Sequence, residues 1–188
     1  TIIRQVGDIG RMVDEFSSFA RMPKAAPEPM NLAEVIRDAT VLQRVSTSDI
    51  DIDVDVSKAD FVFLFDRRLI TQAVTNLVKN ASEAIDGRLL AENLEKGHVQ
   101  VEAGIEHDVP FIRVTDNGVG LPKENRNRLA EPYMTTREKG TGLGLAIVKR
   151  IMEEHGGRLR LQDAPNGKGA QVTLEFSRLP EPLLISAE

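Results

Sequence analysis

Three short segments that occur in a fixed order place the strongest constraint on what this chain can form. The first carries two asparagines four residues apart, Asn76 and Asn80. The second is a carboxylate in a glycine turn, Asp116-Asn-Gly-Val-Gly120, and the third is a glycine-rich loop, Gly140-Thr-Gly-Leu-Gly144, which opens a predicted helix. Each alone fits ordinary structure: a solvated helix face, a plain turn and a flexible hinge. Their ordered combination is what a pocket for a magnesium-bound nucleotide needs.

The composition excludes several other kinds of site. Hydrophobic residues make up 41% and charged residues 28% of the chain, the balance of a soluble globular protein. The net charge of −5 provides no basic field for nucleic acid or an anionic membrane surface. The absence of cysteine excludes disulfides, thiolate zinc sites and cysteine nucleophiles, and it fits a reducing compartment. Three scattered histidines, His98, His107 and His155, argue against an imidazole zinc site, and no apolar run is long enough to span a membrane.

The first 22 residues are predicted to form a helix with one apolar seam. Its members recur at alternating steps of four and three; they are Ile2, Val6, Ile9, Val13, Phe16 and Ala20. The seam fits either a coiled-coil partner or packing of the helix on its own domain. Pro23, Pro27 and Pro29 then predict a semi-rigid linker and a domain boundary. Because the chain opens on Thr1 within this helix, we expect it to be part of a longer protein.

The remaining elements do not alternate strictly between strand and helix. Helices are predicted over residues 32–45, 67–85 and 143–155, the first two capped by Asn31 and Asp66 and the third ended by Gly156-Gly157. Strands are predicted over residues 50–56, 61–65, 98–105, 110–115, 158–162 and 169–176. Residues 86–97 are predicted as a polar connector and residues 121–140 as a long mobile loop. This order predicts an α/β protein, a two-layer sandwich with a mixed sheet and helices on one face.

The first two segments suit a metal ion and a base. Asn76 and Asn80 share one helix face, and a side-chain carbonyl on a rigid helix suits a magnesium ion, which otherwise keeps water and phosphate ligands. A buried carboxylate at Asp116 can accept a hydrogen bond from the exocyclic amine of adenine, whereas guanine presents an acceptor at that place. Since an unpaired buried polar group costs about 1–3 kcal/mol, such a carboxylate can select the base.

The third segment suits phosphate. Backbone amides at a helix start bind anions with the help of the helix dipole. The spacing is not that of a Rossmann fold, because Ile147 takes the third glycine position, and no Gly-Lys-Ser/Thr follows as in a P-loop. Between the second and third segments, Glu131-Pro-Tyr-Met-Thr-Thr-Arg137 supplies an aromatic ring, two hydroxyls and a cation that suit a lid over phosphates. Arg137 is a candidate for steadying negative charge during phosphoryl transfer.

Together these segments resemble the ATP-binding catalytic domain of sensor histidine kinases, within the superfamily shared with gyrase, a heat-shock chaperone and a mismatch-repair ATPase. Asn76-Leu-Val-Lys-Asn-Ala-Ser-Glu-Ala84 resembles the asparagine box, and Asp116 to Gly120 the first glycine box. Glu131 to Thr136 resembles the lid's phenylalanine box, and Gly140 to Val148 the second glycine box. The resemblance covers roughly residues 27–180. The amino-acid sequence of the matching segments is most similar to that of the nitrogen-regulation type of sensor kinase.

The resemblance implies a Bergerat ATP-binding fold over residues 27–188, preceded in residues 1–26 by the second helix of a dimerisation and phosphoacceptor hairpin and a linker. It implies ATP and Mg²⁺ as cofactors, with Asn80 as the magnesium ligand and Asp116 reading adenine. The residues it implies in nucleotide binding are Asn76, Lys79, Asn80, Asp116, Gly118, Gly120, Tyr133, Thr135, Thr136, Arg137, Gly140, Thr141, Gly142, Leu143, Gly144 and Leu145. Asn76 and Arg137 are the expected catalytic residues.

The implied activity is that of a protein-histidine kinase in two-component signal transduction. The γ-phosphate of ATP would pass to a histidine on the hairpin and then to an aspartate of a response-regulator receiver domain. None of the three histidines here has the setting of that acceptor. Two positions depart from the family pattern: Met134 replaces the lid phenylalanine, and Glu83 stands where many relatives have a base, which leaves Lys79 to supply the charge.

The resemblance also gives expectations about the whole protein. We expect a homodimer that is anchored in the inner membrane and has this part in the cytoplasm, without contact between this part and membrane or nucleic acid. Two other functions are compatible with the same motifs. An ATPase of the superfamily would use a glutamate where Asn76 stands, as the base that activates water, and an amide cannot accept that proton. A non-catalytic nucleotide-binding or dimerisation module would bind nucleotide without turnover.

Overall fold

The structure is a computed structural model, and it describes residues 6–7, 9–10, 13, 16–17, 19–46, 50–92, 96–124, 126–134 and 141–177. The described residues between 6 and 20 are helical and are called the N-terminal helix. The helices that follow are α1 (Leu32–Ser46), α2 (Arg67–Glu92) and α3 (Gly144–Glu154). The strands are β1 (Glu28–Asn31), β2 (Ile50–Asp55), β3 (Val62–Phe65), β4 (Gly97–Glu106), β5 (Val109–Asp116), β6 (Arg158–Asp163) and β7 (Ala170–Glu175).

The main sheet is mixed and has five strands in the order β2-β4-β5-β7-β6. β2 runs parallel to β4, and the other neighbouring pairs are antiparallel. The core combines apolar faces of α1, α2 and α3 with alternate residues of the sheet, such as Ile52, Val99, Val101, Ile112 and Leu174. The alternating Asp51, Asp53 and Asp55 of β2 are exposed on the other face. The prediction of a two-layer α/β sandwich is therefore confirmed.

The predicted helix ends are made by the expected contacts. Asn31 Oδ1 accepts a hydrogen bond from the Glu34 N–H at 3.2 Å, and Asp66 Oδ1 accepts one from the Leu69 N–H at 3.1 Å. Each satisfies an amide that the first helical turn leaves without a backbone partner. Gly156 follows α3 with a φ of 65°, the left-handed conformation that ends many helices.

Two elements differ from the prediction. α2 continues to Glu92, through the segment predicted as a polar connector, because the residues after Gly87 are good helix formers and one glycine costs only about 1 kcal/mol. The short strand β1 was not expected, because it contains Pro29; it pairs with β3 in a separate two-stranded sheet, where Glu28 lies opposite Phe65. Within the predicted loop, Arg126–Arg128 forms a single 3₁₀ turn, and residues 135–140 lie outside the described residues.

Among the described residues, the N-terminal helix packs against the core only towards its carboxyl end. Val6, Ile9, Val13 and Phe16 are between 48% and 63% exposed, so the described part of this chain does not cover the apolar seam. Further along, Phe19, Met22 and Ala25 pack against the core. Ile2 lies outside the described residues, and the division into a hairpin helix and a catalytic domain remains a prediction. No helix among the described residues has both the length and the apolar character that a membrane span requires.

Candidate functional site

The two asparagines lie on α2 at the border between the core and solvent. A buried stripe fixes the rotation of this helix; it consists of Leu69, Ile70, Ala73, Val74, Leu77, Val78 and Ala81. Asn76 and Asn80 are half-buried beside this stripe, whereas Lys79 and Glu83 are exposed. The buried stripe therefore determines which way the two amides face.

Asn80 lies beside the first residue of α3. A Cβ at Gly144 would lie 3.4 Å from both Nδ2 and Oδ1 of Asn80, so glycine leaves this side of the amide open. The structure thus brings the first and third sequence segments together. The amide of Asn80 and the amino end of α3, where backbone N–H groups lack helical partners, form one polar corner.

Asp116 ends β5 with its side chain buried. Its Oδ1 accepts hydrogen bonds from the Gly118 N–H at 2.8 Å and from the Ala170 N–H at 3.2 Å. The first bond closes the predicted turn, and the second ties the carboxylate to the start of β7. Ala170 was not identified from the sequence, because the contact joins positions 54 residues apart and has no local signal.

The turn after Asp116 is pressed against α2. A Cβ at Gly118 would lie 2.6 Å from the carbonyl carbon of Ala84, and the Val119 N–H donates to the Ala84 oxygen at 3.1 Å. On the other side, Gly169 has a φ of 93°, and a Cβ there would overlap the Asp116 carbonyl. Only glycine permits this approach, so the second sequence segment is held directly on the helix that carries the first.

The lid segment and the glycine loop are joined by their backbones. The Tyr133 N–H donates to the Gly142 oxygen at 3.1 Å, and a Cβ at Gly142 would lie 2.7 Å from the Tyr133 carbonyl carbon. Both residues have a positive φ, 65° and 68° respectively. Tyr133 is 62% exposed. This hydrogen bond attaches the described part of the lid segment to the glycine loop.

The remaining predicted site residues fall into two groups. Thr141 Oγ1 accepts a hydrogen bond from the Leu143 N–H at 3.3 Å, and the side chain of Leu143 is buried in the core. Leu143 therefore presents only backbone to a ligand, whereas Leu145 is partly buried and packs against the core. Four predicted residues lie outside the described residues: Thr135, Thr136, Arg137 and Gly140. Their roles remain predictions.

A cleft of about 480 Å³ lies on another side of α3 and is not lined by any predicted site residue. Its lining residues are Arg126, Ala130, Lys149, Glu153, Gly157, Arg158, Leu159, Arg160 and Leu161. The cations around it are already paired: Arg126 with Asp163 at 2.5 Å, Arg160 with Glu175 at 2.8 Å, and Arg158 with the same glutamate. Paired cations attract an anion weakly, so this cleft is a poor candidate for the phosphate site.

Comparison with known proteins agrees with the motifs. Residues 65–180 match the family described as histidine kinase-, DNA gyrase B- and HSP90-like ATPase. The nitrogen regulation protein NtrY of Azorhizobium caulinodans is 55% identical over 174 residues. That alignment covers 93% of this chain and 22% of NtrY, so the chain spans less than a quarter of its relative. The expected resemblance to the nitrogen-regulation type is confirmed.

Two solved histidine kinase structures share the fold. Full-length ShkA in complex with AMPPNP is 26% identical with a TM-score of 0.77, over 100% of this chain and 39% of that chain. ThkA in complex with the response regulator protein TrrA is 26% identical with a TM-score of 0.74, over 96% of this chain and 50% of that chain. The sequence match, the shared fold and the assembled motifs lead to one conclusion: this chain belongs to the family of histidine kinase-, DNA gyrase B- and HSP90-like ATPases.

Proposed function

We propose that this chain is the Mg²⁺–ATP-binding domain of a sensor histidine kinase of the nitrogen-regulation type. The observation that carries the proposal is the corner where the Asn80 amide lies against Gly144 at the amino end of α3. An amide oxygen is a suitable magnesium ligand, and free backbone N–H groups at a helix start suit phosphate. Among the described residues there is no group of three or more acidic or imidazole side chains that could hold a metal by itself, so the other ligands would come from phosphate and water.

The adenine end of the nucleotide is assigned to Asp116. Its carboxylate is buried and is oriented by two backbone N–H donors, which is the arrangement that a base-reading group requires. Gly118 and Gly120 keep the adjoining turn free of side chains, so a flat base can approach the backbone. The ShkA structure, which contains AMPPNP, supports a nucleotide as the ligand of this fold.

The reaction we propose is transfer rather than hydrolysis. The bond between the β,γ-bridging oxygen and the γ-phosphorus breaks, a new bond forms to an imidazole nitrogen of a histidine on the dimerisation hairpin, and ADP leaves. Asn76 lies where a hydrolytic relative would need a carboxylate base, and its amide cannot take a proton from water. Arg137, Thr135 and Thr136 would close over the phosphates, with the arginine balancing charge in the transition state.

The proposed partners follow from this reaction. The phosphoryl group would pass from the hairpin histidine of a homodimeric kinase to the aspartate of a receiver domain; ThkA forms a complex with a response regulator protein. His155 is an unsuitable acceptor, because both of its ring nitrogens are engaged in hydrogen bonds. We propose that the whole kinase is anchored in the inner membrane with this domain in the cytoplasm.

The test begins with calorimetric titration of the chain with Mg²⁺–ATP, beside Asp116→Asn. We expect the parent to bind and the variant to lose most of its affinity, while Asp53→Asn, the same change on the exposed face of β2, binds as the parent does. A hairpin carrying the acceptor histidine is then added with labelled ATP. Acid-labile phosphate on the hairpin supports the kinase. Rapid release of free phosphate would indicate an ATPase, and binding without either product a non-catalytic module.

A further inference from the structure

Three segments of the chain meet at Asp66, at the end of α3 remote from Asn80. Asp66 Oδ1 accepts the Leu69 N–H of α2, and its Oδ2 accepts the Ala26 N–H of the linker at 3.0 Å. The backbone N–H of Asp66 donates to Nε2 of His155, directly after α3, at 3.0 Å. One buried residue therefore contacts the linker, the start of α2 and the end of α3.

The hydrogen bonds of His155 specify one form of its ring. Nδ1 lies 2.7 Å from the Ile151 carbonyl oxygen, which can only accept, so Nδ1 carries the hydrogen. Nε2 is then the acceptor that the Asp66 N–H requires, and the ring is neutral. Two further contacts lie around this ring, in what is called the His155 corner. The ring meets Phe176 edge-on, with ring centroids 6.2 Å apart, and Ser177 Oγ donates to the Gly156 oxygen at 2.9 Å.

The same two helices are thus in contact at both ends of α3. α3 begins against Asn80 and ends beside Asp66, so it runs antiparallel to α2. It has 11 residues, which at about 1.5 Å per residue gives a rod of roughly 16 Å. Because a helix of this length moves as a rigid body, the contact at His155 helps to determine where Gly144 lies relative to the Asn80 amide.

The end of the N-terminal helix also approaches α3. Phe19 and Met22 pack on the core, and the guanidinium of Arg150 on α3 lies 5.7 Å from the centre of the Phe19 ring. The end of the N-terminal helix therefore contacts α3 through Arg150, whereas the linker is connected to the end of α3 indirectly, through Asp66 and His155.

We propose that Asp66 and His155 are positioning residues for the nucleotide site. They keep the amino end of α3 against Asn80, and they couple that position to the linker. The effect on ATP affinity rests on the proposed function. The coupling between the His155 corner and the first turn of α3 does not, because it can be measured without nucleotide. By reciprocity, nucleotide bound at the Asn80 corner stabilises the hydrogen bond between Ala26 and Asp66.

The test compares three variants at the His155 corner. His155→Phe keeps a ring against Phe176 but leaves the Asp66 N–H without its acceptor. His155→Gln places an amide oxygen near the former Nε2 position and is the conservative rescue. Ser177→Ala is the matched control, since it removes the hydrogen bonds from Oγ to the backbone oxygens of Gly156 and His155 and leaves the ring of His155 and its bond to Asp66 in place. Circular dichroism is used to choose a temperature at which all the chains are folded. If His155→Phe does not fold, it is replaced by Asp66→Asn. This variant keeps an oxygen for the Leu69 cap but loses the acceptor for the Ala26 N–H.

Two quantities are measured for each chain. The first is amide hydrogen exchange without nucleotide, at Ala26 and at Ile147, whose N–H bonds to the Leu143 oxygen at 2.8 Å in the first turn of α3. The second is the Kd for Mg²⁺–ATP. We expect His155→Phe to exchange faster at both amides and to bind about five- to ten-fold more weakly. His155→Gln and Ser177→Ala should stay within about twofold of the parent in Kd.

Unchanged exchange at Ile147 in the folded His155→Phe chain would overturn the inference, whatever the nucleotide result. An equal loss in His155→Gln and His155→Phe would also overturn it, because packing rather than the acceptor would then be responsible. If the parent itself does not bind Mg²⁺–ATP, the proposed function fails, and the exchange rates alone decide whether the corner positions α3.

Discussion

The side-chain amide of Asn80 lies beside Gly144, so that a methyl group added to this glycine would lie 3.4 Å from both Nδ2 and Oδ1 of Asn80. This contact joins the middle of α2 to the first residue of α3 and forms the corner assigned to magnesium and phosphate. Asn80 and the start of α3 can approach each other this closely because Gly144 has no side chain. The chemistry of Asn80 and the backbone geometry at Gly144 therefore have to be tested separately.

Gly144→Ala is expected to leave the fold intact and to weaken nucleotide binding. Alanine favours a helix over glycine by about 1 kcal/mol, so thermal stability should be unchanged or slightly higher. The new methyl, 3.4 Å from both polar atoms of the Asn80 amide, occupies the side on which a phosphate-bound magnesium ion would approach. We expect an affinity loss of roughly tenfold by calorimetry.

The matched control for this substitution is Gly87→Ala. It makes the same change within α2, where the nearest atom to the added Cβ would be a methyl carbon of Val119 at 3.7 Å. The control should gain helix stability without losing affinity. Equal affinity of Gly144→Ala and the parent would show that the corner does not hold the phosphates.

Asn80→Ala is expected to remove the magnesium-dependent part of ATP affinity. The change leaves the buried stripe of α2 untouched, so the chain should fold as the parent does. ATP is titrated with excess Mg²⁺ and again with EDTA, and only the first Kd should rise, because the amide oxygen is assigned to the metal. Glu83→Ala, on the exposed side of the same helix, is the control. A Kd for Asn80→Ala that equals the parent value in Mg²⁺ would refute the ligand role.

Much of this architecture could be predicted from local signals in the sequence. Alternation of apolar and acidic residues identifies β2, and the caps Asn31 and Asp66 mark helix starts, because each signal acts within a few residues. The length of α2 was underestimated, since Gly87 resembles a helix end and only the good helix formers after it extend the helix. β1 was missed because four residues with a proline have no strand periodicity.

The assembly of the site was predictable only in part. The motifs indicated which segments meet but not through which atoms. That Gly118 rests on Ala84, or that Ala170 orients the Asp116 carboxylate, depends on tertiary packing between segments far apart in the chain. The contact between His155 and Asp66 could not be predicted, because the two residues lie 89 positions apart. Contacts of this kind have no periodicity or spacing in the sequence.

Gly118→Ala is expected to destabilise the fold. Its Cβ would lie within 2.9 Å of three atoms of Ala84, two of them backbone, so either the turn or α2 has to shift. Overpacking of this kind costs typically 1–3 kcal/mol. The free energy of unfolding in urea measures it, with Gly87→Ala as the reference for a tolerated substitution. An unfolding midpoint equal to that of the parent would mean that the turn is not held against α2 as described.

The linker contact of Asp66 is expected to give an acid-dependent stability. Burial alone would raise the pKa of this carboxyl group, but hydrogen bonds from the Ala26 and Leu69 N–H groups and the nearby charge of Arg68 lower the pKa below its ordinary value. A carboxyl group with a lowered pKa in the folded state adds stability above its ordinary pKa. That stability is lost as the pH falls through the lowered value, which places the loss below about pH 4.

Asp66→Asn should therefore be less stable than the parent at pH 7, by about 1–3 kcal/mol, because an amide retains the cap to Leu69 but lacks a second acceptor for Ala26. Urea unfolding from pH 7 down to pH 3 should show the two chains converging as the parent loses its charge. Asp53→Asn, on the exposed face of β2, should differ from the parent by no more than about 0.5 kcal/mol at pH 7. A gap between parent and Asp66→Asn that stays constant down to pH 3 would show that the charged carboxylate does not secure the linker.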